Sequence, residues 1–228
     1  FDASLLGLAR ETIIERSAVP AAEPLMPWLP SAAIAAVVSS ILRPIEFATG
    51  PTYFMLSAMS STVLAAAQAP GSRFVGSSDH LVSEAFYFTD PEGNGVELYR
   101  DRPRADWVWQ QGQITMDTLW LDPNEYLRTH LTQAAVDAGP ALAGKVGHVH
   151  LQVGNIEVAR RFYTDALGFE TTLSARGALF ASAGGYHHHM AMNTWRSAGA
   201  GLRAPALGLG RVDIKLPGDT DVAPVAAR

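Results

Sequence analysis

The chain has 228 residues, room for one large domain or two small ones, and 48% are hydrophobic, so apolar content does not limit core formation. Its 17 Lys and Arg against 22 Asp and Glu leave a formal charge of −5 with no basic run, which excludes the clustered phosphate contacts of a nucleic-acid binder. No cysteine is present, which excludes disulfide scaffolds, thiol nucleophiles and Cys-based metal centres, so any metal must use His, Asp or Glu.

Residues 1–75 are rich in Ala, Ser and Pro. Two apolar stretches, Ser31–Leu42 and Tyr53–Ala67, are separated by Arg43, Pro44 and Glu46. Each is shorter than the ~20 residues of a membrane span, so both read as buried helices or as misfit sequence, with a membrane span as the lesser alternative. No basic stretch followed by an apolar run opens the chain, which predicts a cytoplasmic protein without a membrane partner.

Residues 76–110 carry a hairpin pattern. Leu81–Asp90 is rich in aromatic and β-branched residues, Pro91-Glu92-Gly93-Asn94-Gly95 is turn chemistry, and Val96–Arg100 alternates as a return strand. Residues 111–145 read as a connector with one helix, Asn124–Ala138, ending at Gly139-Pro140. Residues 146–197 change period in order. Gly147–Val153 alternates as a strand, and Glu157–Leu167 has helical spacing at Val158, Phe162 and Ala166, with Gly168 at the C-cap position. Phe169–Leu173, Ala178–Ala183 and His187–Trp195 follow as short strands, completing a βαββ module. Residues 198–228 hold a Gly/Ala/Pro linker, Ala198–Pro205, and a strand-like run, Gly208–Pro217.

Alternation puts His148 and His150 on one strand face, and Glu97 with Tyr99 on one face of the return strand. On a strand, His187 and His189 face one way and His188 the other. Taken singly, each has an ordinary reading. A strand Glu is usually solvated, Tyr87 can be a cross-strand packer, and His130 in the connector helix is expected to be exposed.

Together the motifs resemble a family. Gly147-His148-Val149-His150-Leu151, Ala159–Tyr163 and Leu167-Gly168-Phe169 look like the opening of a vicinal oxygen chelate module. Gly184-Gly185-Tyr186-His187-His188-His189 with Asn193-Thr194-Trp195, and Ser78–Ala85 leading to Asp90–Tyr99 and Asp101–Arg104, resemble the bacterial catechol 2,3-dioxygenase branch of that superfamily. The resemblance spans about 76–217. It implies an α+β fold in which βαββ modules pair into a U-shaped mixed sheet around a metal pocket, incomplete here at both ends. Residues 76–110 would end module two, 146–197 would form module three, and 198–228 would begin a truncated module four. Residues 1–75 do not resemble the family, through divergence or a slip of reading frame upstream of about Arg73.

The resemblance further implies Fe(II) as the metal, with Mn(II) or Zn(II) as alternatives, held by two histidines and one carboxylate. His148 matches the first-strand ligand and Glu97 the last-strand carboxylate. Tyr87, ten residues before Glu97, matches an active-site tyrosine, and His187 and His189 would serve as proton donors or substrate anchors. The second ligand histidine should fall near Tyr53–Met55, which contains none. His80 or His150 would then stand in, or act behind the ligands together with His188. The implied activity is extradiol cleavage of a small aromatic diol by O₂, with a second copy of the chain, in a homo-oligomer, as the expected protein partner. A metal-dependent glyoxalase-type enzyme and a metal-free binding or inactive member are the alternatives.

Overall fold

The computed structural model describes residues 35–39, 51–140, 144–202, 209, 211–214 and 225. It is a mixed α/β structure whose described residues form two compact units, one built on 51–107 and 116–140, the other on 108–115 and 148–202. Among the described residues, no helix is long and apolar enough to cross a membrane.

Of the two apolar stretches, Tyr53–Ala67 is helical as expected, within α1 (Pro51–Gln68). Ser31–Leu42 is not a helix where it is described: it contains strand β1 (Ala35–Ser39), whose paired valines favour extended backbone. The rest of that stretch lies outside the described residues.

In the first unit, α1 lies on an antiparallel sheet of β2 (Arg73–Asp79), β3 (Ser83–Thr89) and β4 (Gly95–Asp101). Met59, Val63, Leu64 and Ala67 are buried in one cluster with Phe86, Phe88 and Leu98 of the sheet. The buried Ser60 satisfies its hydroxyl on the Leu56 carbonyl one turn back. The packed helix lies upstream of Arg73, so at least 56–68 belong to this fold. The β3–β4 hairpin closes as the sequence predicts. Asp90 accepts from the backbone N–H of Glu92 and Asn94, and Gly93 takes φ 86°, which suits glycine. A two-residue strand, β7 (Leu119–Trp120), pairs with the outer edge of β2.

The single connector helix is instead two. Asp122 caps α2 (Pro123–His130) by accepting from the N–H of Asn124 and Glu125. Leu131 is extended (ψ 120°), and Thr132 then caps α3 (Gln133–Ala138). Leu131 is buried in the core beside Leu127, and the break gives Thr132 the extended backbone that an N-cap needs. His130 is half-buried rather than exposed, with its ring 4.7 Å from that of Tyr126.

In the second unit, β8 (Lys145–Gln152), β11 (Met190–Asn193), β10 (Ala178–Ser182) and β9 (Glu170–Ala175) lie side by side in that order. β8 and β11 are parallel and the other pairs antiparallel, so this sheet is mixed. Between β8 and β9 runs α4 (Ile156–Arg160), capped by Asn155 and continued by a wider turn over Arg161–Ala166 to Gly168 at φ 84°. The stripe expected at Val158 and Phe162 faces outward, at 55% and 54% exposure. The inward stripe is Ile156, Ala159 and Tyr163, which has the same helical period and packs on Val149, Leu179, Met190 and Met192. The connector also hides a hairpin, β5 (Trp109–Gln110) with β6 (Gln113–Ile114), turning through Gln111 and Gly112 at positive φ.

His187–Trp195 is a strand only over Met190–Asn193. In Gly208–Pro217, the described Arg211–Ile214 is not in a strand, and the remainder apart from Leu209 lies outside the described residues.

Thr132 carries two jobs: its Oγ1 accepts from the Ala135 N–H at 3.2 Å and meets Ser57 Oγ of α1 at 2.8 Å. Thr132→Ala should cost about 1–2 kcal/mol in urea unfolding, and Thr132→Ser should recover most of it. An alanine variant as stable as wild type would contradict this account of the helix break.

Candidate metal centre and its surroundings

In the first unit, register puts Tyr87 directly opposite Glu97. Glu97 is buried at 5% exposure, and a buried carboxylate is costly unless partnered. Tyr87 donates its phenol proton to Glu97 Oε1 at 3.1 Å. His80 Nε2 lies 2.5 Å from the same phenol oxygen. The other His80 nitrogen, Nδ1, is 2.6 Å from the Asp117 carbonyl oxygen, which only accepts, so Nδ1 carries an N–H, and the one phenol proton has two acceptors in reach, Glu97 Oε1 and His80 Nε2. Desolvation first, then the Glu97 charge and the hydrogen bond to it, push the Tyr87 phenol well above its ordinary value. Tyr87 is thus a neutral proton donor throughout the physiological range.

The opposite face of this hairpin is structural. Arg100 pairs with Glu84 at 2.8 Å, both largely buried, and Arg102 bridges Glu84 and Asp79.

The second unit gathers histidines. On β8, Val149 and Leu151 face the core, which turns His148 and His150 to the other face. Parallel pairing of β8 with β11 brings the preceding segment, His187–His189, beside His148. The side chains of His148, His187 and His188 are all buried, and one nitrogen from each lies within 4.8 Å of the others. His187 Nδ1 and His188 Nδ1 are 2.8 Å apart. The His148 ring is centred 4.1 Å from that of His188, and His150 sits 5.0 Å from His148.

The alternation expected for the triple histidine is overturned. The segment is turn-like rather than strand, so neighbours His187 and His188 meet side by side. His189 instead turns away: its Nδ1 is 2.8 Å from Ser182 Oγ, and its ring packs against Tyr186.

Residues 145–203 match the model of the Glyoxalase/Bleomycin resistance protein/Dioxygenase superfamily. That span is similar to a module of this superfamily. It is also 40% identical over 164 residues to "Catechol-2,3-dioxygenase" of Bacillus subtilis (strain 168), an alignment covering 68% of this chain and 55% of the relative. The chain therefore spans about half the length of that relative. A solved structure, the Mn(II)-bound glyoxalase from Novosphingobium aromaticivorans, is 20% identical over 62% of this chain and 39% of its own, with a TM-score of 0.22, too low to superpose the folds.

The superfamily module contains His148, His150 and His187–His189, while His80, Tyr87 and Glu97 lie outside the matched span. Buried imidazoles that close together suit a divalent metal of the first transition row. Sequence reasoning missed three supporting groups. The Asp117 carbonyl orients His80, Ser182 holds His189, and Thr172 donates to the His187 carbonyl at 2.6 Å. A backbone carbonyl leaves no sequence signal, and the two hydroxyls lie on neighbouring strands, where only the pairing shows what they reach.

The raised Tyr87 pKa has a sign. Stability from the neutral phenol is fully present below the ordinary value near 10 and is lost as pH rises through the higher folded value. Wild type should therefore lose stability more steeply above about pH 10 than Tyr87→Phe does. Parallel pH–stability curves for the two proteins would contradict the burial and pairing of this phenol.

Proposed function

We propose that this chain acts in extradiol cleavage of a catechol by O₂ at a non-haem divalent metal, Fe(II) first among the candidates. The observation that carries the reading is the 40% identity to a protein named as a catechol 2,3-dioxygenase, together with the buried histidine set in the superfamily module. The fold in this reading is paired βαββ modules forming a U-shaped sheet around the metal pocket, in a cytoplasmic protein.

His148 and Glu97 are assigned as metal ligands on the family pattern. Bound there, the metal would supply adjacent open positions for a catecholate and O₂ and a path for electrons between them. The rest falls to this chain's own groups. Tyr87, held neutral, donates a hydrogen bond to one catechol oxygen, and His80 fixes the direction of that phenol. The buried histidines near His148, His187 among them, give and take the protons that ring opening requires. His189 reaches the substrate only if its contact with Ser182 opens. Both oxygen atoms enter the ring-opened product, so no external reductant is consumed.

Anaerobic loading with Fe(II), followed by catechol in an oxygen electrode, tests this. One O₂ should be consumed per catechol, with a yellow ring-opened product. Tyr87→Phe should lower kcat by roughly 100-fold, the scale of one lost acid–base group. Absence of oxygen uptake by the iron-loaded chain would overturn the dioxygenase reading. Turnover of another substrate without O₂ would point to a glyoxalase-type reaction instead.

A further inference from the structure

We propose that Thr89 reads the substituent on the catechol ring, selecting an uncharged hydrogen-bonding group such as a hydroxymethyl. The inference rests on the dioxygenase reading above and extends it from the reacting oxygens to the far side of the ring.

Three observations carry it. The first is position. Alternation and register put Thr89 on the β3 face that holds Tyr87, one side-chain step further along the strand. The other face, with Phe86 and Phe88, is the one packed in the helix-covered core. Two residues on one strand face stand about 7 Å apart, roughly the reach of a benzene ring from one hydroxyl to a substituent across it.

The second is an unmet hydrogen bond. Thr89 is 2% exposed, and among the described residues its hydroxyl has no partner. Other buried hydroxyls of this unit are satisfied: Ser60 donates to the Leu56 carbonyl and Ser77 to the Leu121 carbonyl, each at 2.8 Å. A buried hydroxyl left alone is destabilising, so it calls for a polar group brought from outside the fold.

The third is room. Gly95 lies opposite Thr89 and Gly76 opposite Tyr87, so neither neighbour puts a side chain on this part of the face. A Cβ at Gly76 would meet no atom within 4 Å among the described residues. In the other direction along the same face, the fully buried Tyr99 lies opposite Ala85 and occupies the space. A ring held at Tyr87 can therefore extend toward Thr89 and not toward Ala85.

Oxygen uptake by the iron-loaded chain with 3,4-dihydroxybenzyl alcohol and 4-ethylcatechol tests this, since the two differ only in OH against CH₃ at one atom. The preference for the alcohol, as a ratio of kcat/KM, should fall about 10-fold in Thr89→Val, the scale of one hydrogen bond, and persist in Thr89→Ser. The change should sit in KM, because the contact is made equally in substrate and transition state. A second readout needs no metal. Urea unfolding of Thr89→Val should show a midpoint equal to or above wild type, since the variant loses a hydroxyl that has no partner in the fold. An unchanged ratio in Thr89→Val, or a lower midpoint, overturns the assignment while leaving the dioxygenase reading intact. A preference for 3,4-dihydroxybenzoate over both compounds would move the contact to Arg73, opposite Thr89 on β2, and overturns it as well. No oxygen uptake with unsubstituted catechol overturns both.

Discussion

Three hydrogen bonds to the backbone hold the segment His187–His189 in place, and the chemistry of the second unit depends on them. The Val149 N–H reaches the His189 carbonyl at 3.0 Å, the His189 N–H reaches Ala181 at 2.9 Å, and Thr172 donates to the His187 carbonyl at 2.6 Å. Without them, a turn-like segment would have no reason to present two adjacent rings to one neighbour. The hydrophobic cluster beneath enforces the register. Val149, Met190 and Met192 are buried against Leu179 and Ala159, so a one-residue slip of β8 would put His148 into that core and Val149 on the histidine face.

The first unit solves a different problem, a buried carboxylate. Glu97 sits on a strand whose opposite face is sealed by α1 and α2, so its position is set by packing that has nothing to do with its charge. The hairpin register supplies Tyr87 as a donor at 3.1 Å, and the cost reappears as a phenol that resists ionisation. His80 extends the line to the Asp117 carbonyl, linking the hairpin to the segment before β7. A group that keeps its proton in this way is a donor at neutral pH, the property the proposed reaction asks of it.

Much of this was legible in the residues. The Pro91–Gly95 turn announces the hairpin, and alternation places Glu97 with Tyr99 and His148 with His150 on their faces. The reading failed where two patterns competed or where geometry is non-local. Val158/Phe162 and Ile156/Ala159/Tyr163 both satisfy a helical period, and only the sheet decides which stripe is buried. Asn124–Ala138 reads as one helix, yet Thr132 takes extended backbone to cap the second helix and meets Ser57 of α1. Alternation was wrongly extended to His187–His189 because strand pairing begins only at Met190. Asp117 was invisible because it acts through its backbone.

The most direct test of the account is where a metal sits. Crystals of the chain grown with Mn(II), measured at the manganese absorption edge, should show an anomalous peak within bonding distance of His148. A peak elsewhere, or none at full Mn(II) loading, would contradict the claim that His148 is a metal ligand.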